Sequence, residues 1–231
     1  MLKVSGLNQY YGESHILRDV SFEVERNACA CVMGRNGVGK TTLLKCLMGL
    51  LPARGGRTLF AGEDITRLPP GERARRGLGY VPQGRQIFPL LTVRENLEIG
   101  LPARRDRSRR IPSFIYEFFP LLREMANRRG GDLSGGQQQQ LAIGRALALD
   151  PSFLILDEPT EGIQPNIVQD IAQTIRRLGR DMGLTVMLVE QKVPFARNLA
   201  DKFMIMDRGS LVRDGRMSEL DNGTIRDFLS V

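Results

Sequence analysis

A glycine-rich segment at residues 34–41 constrains the fold of this 231-residue chain more than any other feature. It reads Gly-Arg-Asn-Gly-Val-Gly-Lys-Thr, which fits the pattern GxxxxGK followed by Ser or Thr. An apolar, strand-like run precedes it, and Leu43, Leu47 and Leu51 follow at helical spacing, which predicts a helix over 40–51. A strand, a tight loop and a helix N-terminus in this order present successive N–H groups to phosphate. The sequence therefore predicts an α/β fold with a nucleotide site at this loop.

The loop supplies the predicted contacts to the nucleotide. Its glycines let the backbone approach phosphate closely. Lys40 is expected to reach the β- and γ-phosphates, the Thr41 hydroxyl to bind Mg²⁺, and Thr42 to bond the α-phosphate. The predicted nucleotide-binding residues here are Gly34, Arg35, Asn36, Gly37, Val38, Gly39, Lys40, Thr41 and Thr42.

Two carboxylates follow a second apolar run. Residues 153–156 read Phe-Leu-Ile-Leu and predict a buried strand, which ends at Asp157 and Glu158. Ligands of open α/β sheets lie at the carboxyl ends of the strands. We therefore expect Asp157 to hold the Mg²⁺ shell and Glu158 to polarise the attacking water.

The remaining pattern alternates strands with helices. This alternation predicts a mostly parallel sheet with helices on both faces. The predicted strands are several within 2–32, then 58–61, 78–81, 153–156 and 185–189, with a terminal hairpin at 203–207 and 211–214. The predicted helices begin near Val93, run from Ser134 to about Leu149 and from Asn166 to Met182, and lie near 194–199. Residues 101–113 predict an arginine-rich surface loop, and Pro120 should break the apolar helical pattern of 114–126.

Charge and composition narrow the class of protein. The formal net charge is +7, with arginine clusters near residues 73–76, 104–110 and 128–129. No aromatic residue interleaves with the 104–110 run, so we do not expect nucleic acid as a partner. No apolar run has the roughly 20 residues that span a bilayer. The three cysteines, Cys29, Cys31 and Cys46, do not form a disulfide framework and are expected to be buried and reduced.

A pentapeptide at residues 133–137 identifies the type of nucleotide-binding protein. It consists of Leu133, Ser134, Gly135, Gly136 and Gln137, and it resembles the signature motif of ATP-binding cassette (ABC) ATPases. Ser134 and Gln137 also form a capping box, so a helix N-terminus should point its N–H groups at an anion. In that family the signature acts on the ATP of a second subunit, so the resemblance implies a dimer with composite sites.

The resemblance covers essentially the whole chain and supplies further expectations. It implies a P-loop NTPase fold of the ABC ATPase type, α/β in class, with a RecA-like mostly parallel core, an N-terminal antiparallel β region and a helical subdomain. Residues 1–231 would form one domain, with the core and β region at about 1–87 and 151–231 and the helical subdomain at about 88–150. ATP and Mg²⁺ are the implied cofactors. Gln83 resembles the Q-loop glutamine, which contacts Mg²⁺ or water, and Tyr11 resembles the aromatic residue that stacks on adenine, with Tyr10 as the competing choice.

Two departures from the family pattern indicate which branch of the family this chain resembles. Gln191 stands where the family has its switch histidine, and residues 161–165 read Glu-Gly-Ile-Gln-Pro in place of the usual D-loop, with Gln164 in an unusual place. Both features are similar to the ATPases of branched-chain (hydrophobic) amino-acid uptake systems. Residues 161–165 together with Gln137 to Gln140 are most similar to the urea and short-chain amide branch. We expect a competent ATPase with Glu158, Gln191 and Gln83 as its catalytic residues.

This resemblance also implies partners and a location. They are a second, paralogous ABC ATPase (with a homodimer still open), two transmembrane permease subunits and an external solute-binding protein, at the cytoplasmic face of the inner (plasma) membrane. The expected function is energy coupling in an importer of urea or short-chain amides, with a branched-chain amino-acid importer as the alternative. A soluble ABC ATPase that acts on nucleic acid or ribosomes and an adaptor that binds ATP without turnover are the alternatives of other classes.

Overall fold

The computed structural model describes residues 1–104 and 106–229. Arg105, one of the arginines of the predicted 101–113 loop, lies outside the described residues. The strands are β1 (Leu2–Tyr11), β2 (Ser14–Val24), β3 (Cys29–Met33), β4 (Gly55–Phe60), β5 (Glu63–Asp64), β6 (Leu78–Val81), β7 (Phe153–Asp157), β8 (Thr185–Val189), β9 (Lys202–Asp207) and β10 (Ser210–Arg216). The helices are α1 (Lys40–Leu47), α2 (Pro70–Arg75), α3 (Val93–Glu98), α4 (Ser113–Phe118), α5 (Pro120–Glu124), α6 (Gly135–Leu147), α7 (Pro165–Met182), α8 (Val193–Leu199) and α9 (Asn222–Phe228).

Within the described part of the chain, the strands form two sheets. The larger has the order β10-β9-β3-β8-β7-β6, in which all neighbours are parallel except the β9–β10 hairpin. The smaller is antiparallel in the order β2-β1-β4-β5. The predicted mostly parallel α/β sheet is confirmed, and the chain connections carry helices between its strands.

The central strands are apolar on both sides because both faces of the parallel sheet are covered. All residues of β7 and β8 are buried. Alternate residues of these strands belong to two hydrophobic clusters. One cluster includes Leu154 and Leu188 with helices α6 and α7, and the other includes Phe153 and Ile155 with α1. Helices α1, α6 and α7 therefore pack against the strands whose carboxyl ends lead into the loops of the site.

Helix α1 ends at Leu47, four residues before the predicted end at Leu51. Gly49 adopts a left-handed conformation with φ of +70°, which terminates the helix. The buried Arg73 guanidinium then donates to the carbonyl oxygens of Cys46 and Leu47 at 2.7 Å each. A distant side chain therefore caps the helix, and the leucine spacing could not predict it.

Other predicted boundaries need smaller corrections. Helix α6 ends at Leu147 rather than Leu149, and the predicted 101–113 loop begins with a short 3₁₀ turn at Leu101–Ala103, whose leucine is buried. Pro120 breaks the apolar helical pattern as predicted, because α4 and α5 are separated at Phe119. Among the described residues, no helix combines the length and apolar character needed to cross a membrane.

Candidate active site

The glycine-rich loop wraps closely between β3 and α1. Gly34 has a φ of +152°, and a Cβ at this position would lie 2.4 Å from the carbonyl oxygen of Met206, so only glycine fits. The buried Lys40 ammonium donates to the carbonyl oxygens of Gly34 and Arg35 at 2.8 Å each. Burial lowers the pKa of Lys40, and the nearby carboxylates Glu158 and Asp157 act against that lowering. The loop thus holds the Lys40 cation against its own carbonyl oxygens.

A cavity of about 320 Å³ opens over this loop. It brings together residues from four separate segments, at positions 11–16, 36–42, 83 and 158. The lining residues are Tyr11, Ile16, Asn36, Gly37, Gly39, Lys40, Thr41, Thr42, Gln83 and Glu158. A larger cavity of about 980 Å³ lies between α7 and α8, but its lining is mainly apolar and lacks the glycine-rich loop. The smaller cavity therefore has the chemistry that a nucleotide requires.

Tyr10 and Tyr11, the two candidates for contact with adenine, have different surroundings. Tyr11 is 47% exposed and lines the cavity. The Tyr10 ring stacks on His15 with a centroid distance of 4.1 Å. Because the Tyr10 ring is occupied in this way, Tyr11 is the better placed of the two for a base, and its contact with adenine remains a prediction.

Asp157 ends β7 beneath the cavity and is only 2% exposed. The Tyr80 hydroxyl lies 3.5 Å from Oδ2, while Oδ1 has no hydrogen-bond partner among the described residues. Burial and the neighbouring Glu158 raise the pKa of Asp157 to about 6, against opposing effects of Lys40, Tyr80 and the Thr41 hydroxyl. A buried carboxylate with one free oxygen beside a threonine hydroxyl is a good ligand for a divalent cation.

Glu158 is held between two glutamines. Gln83 Nε2 donates to Glu158 Oε2 at 3.1 Å, and Gln191 Nε2 donates to Oε1 at 2.5 Å. Gln191 Nε2 also lies 2.7 Å from Asn36 Oδ1 in the glycine-rich loop. Glu158 has a left-handed φ of +47°, which is costly for a residue with a side chain and is typical of functional positions. The three residues predicted to be catalytic therefore form one hydrogen-bonded group.

The signature segment lies apart from this cavity. Ser134 Oγ accepts a hydrogen bond from the Gln137 backbone N–H and Gln137 Oε1 accepts one from the Ser134 N–H, so the predicted capping box is present. Leu133 is buried, and Gly135 and Gly136 open α6. Of the described residues that line the phosphate cavity, none belongs to the signature. This placement argues against contact between the signature and the nucleotide of its own subunit.

Comparison with known proteins decides the family. Residues 17–161 match the family described as ABC transporter. The chain is 40% identical over 229 residues to the high-affinity branched-chain amino acid transport ATP-binding protein BraG of Pseudomonas aeruginosa, and the match covers 98% of both chains. This chain belongs to the ABC transporter family. It is also 38% identical to the probable branched-chain amino acid transport ATP-binding protein LivF of Archaeoglobus fulgidus, over 95% of this chain and 94% of the relative.

Solved structures agree with this assignment. A nucleotide-free ATP-binding cassette from an ABC transporter matches with a TM-score of 0.85 and 30% identity, over all of this chain and 95% of the other. The dimeric post-hydrolysis cassette MJ0796, bound to ADP and Pi, matches with a TM-score of 0.83 and 26% identity, over 94% of this chain and 99% of the other. The fold is therefore the P-loop fold of ABC ATPases, as predicted. The chain binds ATP and hydrolyses it as a transporter ATP-binding subunit.

Several residues of the site were not predicted from the sequence. Tyr80 reaches Asp157 from the neighbouring strand, and Glu161 accepts a hydrogen bond from Gln83 Nε2 at 3.1 Å. Glu190 is buried and accepts hydrogen bonds from the Thr160 hydroxyl and from the backbone N–H of Gln191. A carboxylate directly after an apolar strand was the available signal for Glu190, but its partner Thr160 comes from the loop after β7.

Proposed function

We propose that this chain is the ATP-hydrolysing, energy-coupling subunit of an ABC importer for branched-chain or other hydrophobic amino acids. The observation that carries the proposal is the 40% identity to the Pseudomonas branched-chain amino acid ATPase, which extends over 98% of both chains. The segments 161–165 and 137–140 resemble the urea and short-chain amide branch. The relatives reported above instead favour the alternative, so we place amino acids first.

The nucleotide site follows from the loop geometry. We assign the phosphates to the backbone of residues 34–41, Lys40 and Thr42, and the adenine to Tyr11. Lys40 would exchange its two carbonyl acceptors for phosphate oxygens, because an ammonium has three donors and phosphate is the stronger acceptor. The bond to the nucleotide thus replaces interactions that the free loop already makes.

Mg²⁺ is the cofactor that the donor set fits. We assign it to Thr41, Asp157 and Gln83, which offer only oxygen ligands. The unpartnered Asp157 Oδ1 supports this choice, since a buried carboxylate oxygen otherwise remains unsatisfied. When bound, the cation would neutralise charge on the β- and γ-phosphates.

Glu158 is the residue that we expect to polarise the attacking water. Its carboxylate is kept in place by the Gln83 and Gln191 amides, which donate hydrogen bonds without adding charge. Both amides orient the carboxylate, which must accept a proton from the attacking water. Gln191 thus orients the Glu158 carboxylate in place of the family's histidine, and its amide group does not titrate.

The signature supplies the second half of each composite site. We propose that residues 133–137 act on the ATP of a second cassette, preferably a paralogue, although a second copy of this chain would satisfy the same geometry. The helical subdomain, at about 88–150 in this assignment, would carry the signature and contact two transmembrane permease subunits. An external solute-binding protein would deliver the solute, and the chain would lie at the cytoplasmic face of the inner membrane.

Uptake by the isolated complex tests the proposal. The chain is copurified with its membrane subunits, placed in proteoliposomes with ATP inside, and given labelled leucine, urea or acetamide with the cognate external binding protein. We expect ATP-dependent leucine uptake that Glu158→Gln abolishes. Uptake of urea or acetamide instead of leucine would show that the substrates are urea or short-chain amides. If no membrane subunit copurifies, the importer assignment is wrong.

A further inference from the structure

The loop that carries Gln83 has an unusual backbone. Gly84, Arg85 and Gln86 have φ values of +73°, +67° and +45°, so three successive residues are left-handed. Such a conformation persists only where the surroundings hold it. Helix α6 contributes to this support, because Arg145 Nη2 donates to the Arg85 carbonyl oxygen at 3.2 Å. The backbone of Arg85 is therefore anchored to the helix that begins at the signature.

The Arg85 side chain extends from this anchor to two other segments. Its Nη1 donates to Gln138 Oε1 on α6 at 3.4 Å. Its Nη2 donates to the carbonyl oxygens of Glu161 and Gly162, at 3.1 Å and 3.4 Å, in the loop that follows Glu158. A planar guanidinium can bridge acceptors in this way because its donors diverge in a fixed fork. Arg85 thus joins the loop of Gln83, the signature helix and the 161–165 loop.

The acceptor on α6 is itself fixed. The Gln138 amide donates from Nε2 to the Leu133 carbonyl oxygen at 3.2 Å, which turns its oxygen toward Arg85. The guanidinium also lies against the signature, since a Cβ on Gly135 would be 3.2 Å from Nη1 and Nη2. The first signature glycine therefore leaves the room that the guanidinium occupies.

We propose that Arg85 is a positioning residue that holds the signature and the 161–165 loop as one surface for the second cassette. This inference rests on the proposed function, in which the signature meets the nucleotide of that cassette. Arg85 does not line the phosphate cavity of its own subunit. Its loss should therefore leave ATP binding by the single chain intact and slow turnover, because a small displacement of aligned groups lowers rate strongly.

The test compares Arg85→Gln with a matched control. Arg57→Gln makes the same change of charge, but Arg57 is exposed in the antiparallel sheet and, among the described residues, forms an ion pair only with Asp64. Four quantities are measured: the Kd of MgATP for the chain alone, the kcat and the KM with the copurifying cassette, and the hydrogen exchange of the 161–164 amides. For Arg85→Gln we expect a Kd and KM within about twofold of wild type, a kcat lower by about tenfold and faster exchange. Arg57→Gln should change none of them.

Two further variants keep the outcome decisive. Arg85→Lys retains the charge without the fork and should recover only part of kcat. Gln138→Leu removes the acceptor on α6 and should act in the same direction as Arg85→Gln, even if the latter does not fold. Equal losses of MgATP affinity and kcat, full activity of Arg85→Lys, or unchanged exchange of 161–164 would each overturn the proposal. If the wild-type chain hydrolyses no ATP with any cassette, the proposed function fails, while the exchange comparison still decides the role of Arg85.

Discussion

Asp157 combines deep burial with a carboxylate oxygen that has no hydrogen-bond partner among the described residues. The fold therefore keeps a charged group in an unfavourable environment at the place where we assign Mg²⁺. Its pKa of about 6 records this cost, because burial disfavours the ionised form. A cation that binds Asp157 would offset this electrostatic cost, and this offset would contribute to its affinity.

Asp157→Asn should consequently stabilise the nucleotide-free chain in a pH-dependent way. A folded pKa raised from 3.8 to about 6 means that the folded state binds the proton more tightly, so wild-type stability falls as pH rises between these values. The Asn variant lacks this loss. We expect its gain in the free energy of unfolding to be larger at pH 7.5 than at pH 4.5, by at most about 3 kcal/mol.

Thermal or urea unfolding at the two pH values, without nucleotide or Mg²⁺, measures this difference. Asp170→Asn is the control, because Asp170 is exposed on α7. The same variant Asp157→Asn should lose the dependence of ATP affinity on Mg²⁺. A gain that is equal at both pH values would show that the carboxylate of Asp157 is not destabilised by burial.

Gln191 permits a second prediction at this scale. Gln191→His should remain active near pH 8, where a neutral imidazole can still donate to Glu158. Below about pH 6.5 the imidazole becomes charged and binds the Glu158 carboxylate more strongly, which opposes its action as a base. We therefore expect the ratio of variant to wild-type kcat to fall between pH 8 and pH 5.5.

The ratio is measured from ATP turnover with the copurifying cassette. Gln173→His, at an exposed position on α7, controls for the addition of a histidine. A ratio that is constant across this pH range would contradict the direct contact between residue 191 and Glu158.

At the scale of elements, the start of α6 is fitted closely to α7. A Cβ on Gly136 would lie 2.7 Å from Ile167 Cγ2. The second signature glycine is therefore required by packing within the chain, besides any role toward a nucleotide. The same contact determines how near the signature lies to the 161–165 loop that precedes α7.

Gly136→Ala should destabilise the chain by about 1–3 kcal/mol, the usual cost of overpacking. Gly179→Ala on α7 is the contrasting control, because the nearest atom to its Cβ would be 3.7 Å away, and it should stabilise by about 0.5–1 kcal/mol. Urea denaturation measures both. Combining Gly136→Ala with Ile167→Ala should be less destabilising than the sum of the two. Additive effects would contradict the contact.

The elements themselves were largely predictable from local patterns. Runs such as 153–156 and 185–189 are uniformly apolar, and the starts predicted for α3, near Val93, and for α6, at the Ser134 capping box, are correct. The end of α1 was not predictable, because it depends on Arg73, 26 residues beyond Leu47. Local patterns report the periodicity of an element, whereas its last turn here depends on a long-range contact.

At the scale of the whole molecule, the site is assembled where parallel strands end. The cavity joins residues from positions as distant as Tyr11 and Glu158. Motif spacing could assign Lys40 from the glycine-rich segment, and Asp157 and Glu158 from the end of the apolar strand β7. It could not reveal that Arg85 contacts α6 or that Tyr80 reaches Asp157, since those contacts depend on strand order and on one loop conformation.

We propose that Glu158 drives ATP hydrolysis in a site that binds ATP independently of this residue. The most direct test measures steady-state ATP turnover by the chain with its copurifying cassette, for wild type and Glu158→Gln, together with the Kd of MgATP. We expect turnover to fall by about 100-fold or more while the Kd stays within about threefold of wild type, because the amide keeps the shape but cannot accept the proton. Undiminished turnover in Glu158→Gln, or an equal loss of MgATP binding, would show that Glu158 does not act as the base for the attacking water.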